Sequence, residues 1–179
     1  LGLSPDQDLE YLLKTGGRMA GDTFEFLVPV SSSEAGKELE LDFPVAGWGK
    51  YNNGFKIGGV KITIDGSPQG KTAFFSTPYL TGGPGGEKNW KGELTFPQDM
   101  VNQMVKKVYD MKVPLTLHCN GDASIDAFLK AYEFARAGEY SQPWNVTIIH
   151  TQFMRKDQMA KFVKYGIRPS FYTLHTYYF

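Results

Sequence analysis

Leu115-Thr116-Leu117-His118-Cys119-Asn120-Gly121-Asp122 reads as a short buried strand that delivers a histidine to its C-terminal end. Asn120-Gly121 is a turn pair, and Asp122 is expected to cap the helix behind it. The chain holds three histidines in 179 residues, His118, His150 and His175, and each stands at or just past the end of a β-like run.

Before the strand, Pro97 starts a helix whose apolar face is Met100, Val101, Met104, Val105, Val108 and Met111. Behind it, Ile125, Phe128, Leu129 and Tyr132 recur at helical spacing. Val146 to His150 is the next strand, Arg155 to Tyr165 the next helix, ended by Gly166, and Ile167 to Tyr172 the last strand. Short, nearly wholly apolar strands alternating with helices belong in a parallel sheet covered by helices. The intervals from His118 to His150 and from His150 to His175 each fit one βα repeat, which favours a (β/α) barrel over an open doubly wound sheet. In both folds the chemistry sits at the strand C-termini.

Upstream, Ser4-Pro5-Asp6 starts a helix, and Thr23 to Val30 alternates like a strand. Ser31 to Asn53 fits either a strand or a helix. Phe55 to Ile64 is a strand with Val60, Ile62 and Ile64 on one side and Lys61 and Thr63 on the other. Thr72 to Gly92 is an irregular loop rich in Gly, Pro and aromatics, of the kind that is usually functional or mobile. No Lys-Ser/Thr pair opens a helix behind its glycines, so a phosphate cradle is disfavoured. The whole is one domain, 1–179.

Nineteen basic residues balance nineteen acidic ones, so charge makes no case for nucleic acid or an anionic membrane as partner. No run of apolar residues is long enough to span a bilayer. The single cysteine, Cys119, excludes an internal disulfide framework and is read as packing. The first residues lack the basic and apolar regions of a signal peptide. The compartment stays open between cytoplasm and export, because residues ahead of Leu1 would decide it. The chain begins with leucine and stops at Tyr177-Tyr178-Phe179 without a polar tail, from which an internal piece of a longer protein is expected.

One histidine alone is more often a satisfied core or surface residue than a ligand. Shared placement changes that, since successive strand ends of a barrel converge on one mouth and bring His118 and His150 within reach of a common ion. Lys61, within a strand between Val60 and Ile62, either snorkels to solvent or stands as a desolvated amine beside the histidines. In the second case it could take up carbon dioxide as a carbamate and present an anionic oxygen to metal.

Gly59-Val60-Lys61-Ile62-Thr63-Ile64-Asp65-Gly66-Ser67, Lys71-Thr72-Ala73 and Pro78-Tyr79 resemble the amidohydrolase superfamily, in its amidohydrolase-3 branch with the N-substituted formamide deformylase-like enzymes. His118-Cys119-Asn120-Gly121-Asp122-Ala123-Ser124-Ile125-Asp126 is similar to that branch's fifth-strand motif, Ile148-Ile149-His150-Thr151-Gln152 to its sixth, and Gly166-Ile167-Arg168-Pro169-Ser170 through His175 to its seventh. The resemblance implies a partial (β/α)8 TIM barrel covering roughly strands 3 to 7. It implies a divalent metal, zinc expected, as one or two ions held by His118, His150 and a carbamylated, bridging Lys61. His175 would face the substrate or its oxyanion. The implied reaction is hydrolysis of non-peptide, amide-type C–N bonds in a small molecule. Asp65 would hold the turn after Lys61.

The family's first-strand His-x-His pair occurs nowhere in the sequence, and the general-base aspartate of its eighth strand has no counterpart here. The chain alone is therefore expected to be inactive, and its unpaired sheet edges to drive self-association. The alternative is a non-catalytic (β/α) module that binds a ligand or partner.

Overall fold

The computed structural model describes residues 24–29, 48–51 and 55–174. The helix expected from Ser4, most of Ser31 to Asn53, and His175 lie outside the described residues. Among the described residues, five strands form one sheet: β1 Phe24–Pro29, β2 Phe55–Thr63, β3 Leu115–Cys119, β4 Val146–His150 and β5 Arg168–Phe171. Their order is sequential and every pair is parallel. Three helices alternate with the later strands: α1 Gln98–Asp110, α2 Asp122–Arg136 and α3 Lys156–Tyr165.

Sequential order separates the two architectures left open above. Right-handed crossovers that always step in the same direction place their helices on one face of the sheet, as in a barrel. A doubly wound sheet reverses its strand order at a switch point, and this sheet has none.

The packing follows the period-two and helical patterns. Val60, Ile62 and Ile64 of β2 and its extension are fully buried, as are Leu117 and Ile148 of the neighbouring strands. They meet Val101, Val105 and Val108 of α1 and Ile125, Phe128 and Leu129 of α2 in one continuous core. Each such side chain contributes about 1.5–3 kcal/mol by leaving water. Lys61, Thr63, Thr116 and His118 occupy the alternate positions and are half-buried on the opposite, barrel-interior face. Gly166 ends α3 in the left-handed region at φ 68°, as expected for a helix C-terminus. Among the described residues, no helix is long and apolar enough to cross a membrane.

Two local readings are corrected. Helix α2 begins at Asp122 with Gly121 as its N-cap, so Asp122 is the first helical residue and makes no capping bond. Its carboxylate instead accepts from the Ser76 amide at 2.8 Å, the Ser76 hydroxyl at 2.5 Å and Arg155 Nη1 at 2.8 Å. Asp65, in turn, does more than hold the turn behind Lys61. That turn is closed by Thr72, whose carbonyl accepts from Gly66 and whose hydroxyl accepts from the Ser67 amide.

Candidate functional site

The strand ends converge as their register requires. Lys61 pairs with Thr116 and Thr63 with His118, and one strand further Cys119 pairs with His150. Alternation would send His150 toward the helices with Val146 and Ile148. Its ring instead lies 4.6 Å from that of His118, edge to face at 74°. The backbone makes the difference: His150 and Thr151 have φ of 74° and 45°. Left-handed conformations of non-glycine residues cost on the order of 1 kcal/mol or more, and a β-branched threonine pays most. The strain is held by the Thr151 amide on Cys119 O (2.9 Å) and the Phe153 amide on Asn120 O (3.1 Å). A hooked strand end therefore turns His150 into the mouth.

Around His118 the groups are fixed just as tightly. Asn120 Nδ2 donates to Gly66 O and stands 3.0 Å from His118 Nε2. Asp65 Oδ1 is 3.7 Å from the same nitrogen. Burial holds the His118 imidazole below its ordinary pKa and outweighs the opposing field of Asp65, while the Lys61 ammonium pushes the same way as burial. A ring kept neutral at physiological pH is the form that ligates a metal.

Asp65 itself is 1% exposed. Its carboxylate accepts from the Phe74, Asn120 and Gly121 amides and from Ser124 Oγ at 2.7 Å. Desolvation raises its pKa while these donors lower it. One side chain thus ties the end of β2 to the start of α2 and to the aromatic loop. Gly121 lets that loop approach, since a Cβ there would meet Phe74 O at 1.9 Å.

The loop over residues 72–92 is ordered by its own contacts. Trp90 Nε1 donates to Lys71 O at 2.6 Å, Tyr79 Oη donates to Ala73 O, and Phe75 packs edge-on to Tyr79 and Phe153. Lys71 Nζ donates to the carbonyls of Thr81 and Gly83, so the glycine turn presents oxygens to a cation. A further anchor joins the loop to the helices: Arg155 bonds Asp122, Asp126 and Asp157 at once, and fully buried Gln158 bonds Asp122 O and Asp126. Sequence reading passed over Ser76, Arg155 and Gln158. They have no periodic signature, since their partners lie 29 to 46 residues away for Asp122 and Asp126.

Of the expected site residues, the structure brings His118 and His150 together and places Lys61 on the same face, close enough for its charge to act on His118. His175 lies outside the described residues. Cys119 is fully buried with its thiol pushed well above its usual range by desolvation, which fits packing. Among the described residues no group of three His, Cys, Asp or Glu side chains is placed to hold a metal ion. The neutral His118 imidazole and the His150 ring converging on it fit a metal as two of its ligands, and other ligands would have to join them.

A parallel sheet of sequential strands, with two histidines at its C-terminal mouth, is the frame of a barrel hydrolase. The model of the Amidohydrolase family matches residues 17–179, and the chain belongs to that family. No curated protein matches it. Among solved structures it is similar to an uncharacterized metal-dependent hydrolase from Pyrococcus horikoshii OT3 (23% identity, TM-score 0.66, 92% of this chain and 30% of that one). It is also similar to an uncharacterized metal-dependent hydrolase from Pyrococcus furiosus (25% identity, TM-score 0.65, 92% of this chain and 31% of that one). The chain therefore spans about a third of the length of the solved structures it matches, and its fold is a partial (β/α) barrel.

Proposed function

We propose that the complete protein carrying this chain is a metal-dependent hydrolase of amide-type C–N bonds in small molecules. The convergence of the His118 and His150 rings at 4.6 Å carries the reading. The two similar solved structures, both metal-dependent hydrolases by name, support a divalent metal. Zinc suits an imidazole set, as do other first-row divalent ions. His118 and His150 would hold the ion, with Lys61 joining them as a carbamate, and His175 would contact the substrate.

A bound divalent metal supplies Lewis-acid polarisation of a carbonyl and an acidified water. The chain's own residues prepare that site. Burial keeps His118 neutral, and Asn120, anchored on Gly66 O, sets the orientation of its ring. The hooked end of β4 fixes His150. Asp65 keeps β2 and α2 in mutual register, so that Lys61 and His118 stay on one rim.

The test is metal content and amide hydrolysis of the complete protein. Wild type should retain one or two ions per chain, and His118→Ala and His150→Ala should each lose metal and turnover together. Carbon-13 bicarbonate should give a carbamate resonance that Lys61→Ala abolishes. A protein that hydrolyses amides equally well with and without both imidazoles refutes the assignment. The chain by itself, with only part of the barrel, should hold zinc weakly and show no amide turnover. Turnover by the isolated chain with added zinc would overturn that point.

A further inference from the structure

Beside the histidine mouth lies an open cleft of about 420 Å³, lined by Thr63, Asp65, Thr72, Trp90, Glu93 and Thr95. It adjoins the candidate centre directly. Thr63 is the register partner of His118, and Asp65 reaches to 3.7 Å from the His118 ring. Its walls are rigid. The Thr95 amide bonds Ile64 O and so continues the end of β2, while the Trp90 indole is clamped on Lys71 O.

Charge distinguishes this cleft from an ordinary surface furrow. Glu93 is exposed and has no cationic partner among the described residues. Two lysines of the loop are committed elsewhere: Lys71 Nζ to the carbonyls of Thr81 and Gly83, Lys91 Nζ to Ser76 O. The cleft therefore combines an uncompensated carboxylate, the threonines Thr63 and Thr95 and an indole held in place. An indole face attracts cations, and a carboxylate with hydroxyls accepts N–H donors. Leu94 and the Trp90 ring give the cleft an apolar wall for the stem of such a group, whereas an anionic group finds no matching charge there.

We propose that this cleft is the specificity pocket of the hydrolase and takes a positively charged, hydrogen-bond-donating arm of the amide substrate, an ammonium or a guanidinium, against Glu93. The assignment rests on the metal-dependent hydrolase reading for its role, although the binding itself does not require metal. With the reacting amide at the histidines, the charged arm would lie along Thr63 toward Glu93 and Trp90. Carbamylation of Lys61 would replace a positive charge on the same face with a negative one and strengthen the preference.

The experiment is a pair of titrations on the complete protein, followed by Trp90 fluorescence and assigned with Trp90→Phe. The probes are N-acetylethylenediamine, which is cationic, and N-propylacetamide, its neutral counterpart. Wild type should bind the cationic probe about tenfold or more tightly than the neutral one. Glu93→Gln should bring that ratio close to one, and Glu93→Asp should restore part of it. A wild-type ratio near one, a ratio unchanged in Glu93→Gln, or no binding of either probe overturns the proposal. Repeating the titrations after chelation separates the two readings. A tenfold ratio in a protein that neither holds metal nor hydrolyses amides supports the pocket and sinks the hydrolase. Metal retention and turnover with a ratio near one does the reverse.

Discussion

Replacing Asp65 gives the sharpest test of how the site is held. Its carboxylate serves three backbone N–H groups and one hydroxyl, with a fully buried side chain. Removing an acceptor from a buried donor costs about 1–3 kcal/mol per donor. Water entering from the adjoining cleft would relieve part of that, which leaves about 4 kcal/mol for Asp65→Ala. A loss of this size is a large share of the roughly 5–15 kcal/mol that holds a domain together. Asp65→Asn is the informative partner. Oδ2 accepts from Phe74, Gly121 and Ser124 and shares the Asn120 amide with Oδ1, which also faces His118 Nε2. An asparagine oxygen in the Oδ2 place keeps most bonds, and the variant should lose about 2 kcal/mol. Urea denaturation of the complete protein measures both. Hydrogen exchange should rise in peptides spanning 72–76 and 118–124 before it rises elsewhere. An Asp65→Ala loss under about 1 kcal/mol, or equal losses in the two variants, would refute the reasoning.

Asp122 supplies a pH test. Ser76 and Arg155 hold its carboxyl below the ordinary carboxylate pKa and outweigh its desolvation. A depressed folded pKa stabilises above the unfolded value near 4 and loses that contribution as pH falls through the folded value. The stability gap between wild type and Asp122→Asn should therefore be full at pH 6 and shrink toward pH 3, and a gap independent of pH would contradict the ion pair. Arg136 is 3% exposed, with its guanidinium 5.2–5.8 Å from the rings of Tyr109, Tyr132 and Tyr140 and no hydrogen-bond partner for Nε or Nη1 among the described residues. Its stem packing should outweigh its charge: Arg136→Ala should cost about 3 kcal/mol in chemical denaturation and Arg136→Met about 1 or less, and equal costs would assign the stabilisation to the cation. The isolated chain should self-associate through β5, whose four residues are all exposed. Light scattering that finds only monomer at high concentration would count against it.

What the sequence made legible was whatever repeats at short range. The helices and strands from Phe55 onward lie within a residue or two of their expected bounds, because Val101, Met104, Val105 and Val108, or Val60, Ile62 and Ile64, carry a face each. The placement of His118 followed from the same logic. Asp122 misled because a carboxylate at a helix start suits an N-cap by local rules, and nothing local reveals that Ser76, 46 positions earlier, competes for it. Asp65 was half-read for a similar reason, since its turn is visible in Asp65-Gly66-Ser67 but its four donors belong to later segments.

His150 shows where the two kinds of information meet. Alternation along its strand predicts the helix-facing side, yet its ring lies against that of His118. The positive φ at His150 and Thr151 resolves the conflict at an energetic cost, and the hydrogen bonds that offset this cost run to Cys119 and Asn120, the residues directly behind His118. The second imidazole is therefore aimed by the backbone of the first one's strand. The two histidines behave as one unit, so a change that loosens the loop between His118 and Asp122 should disturb both together.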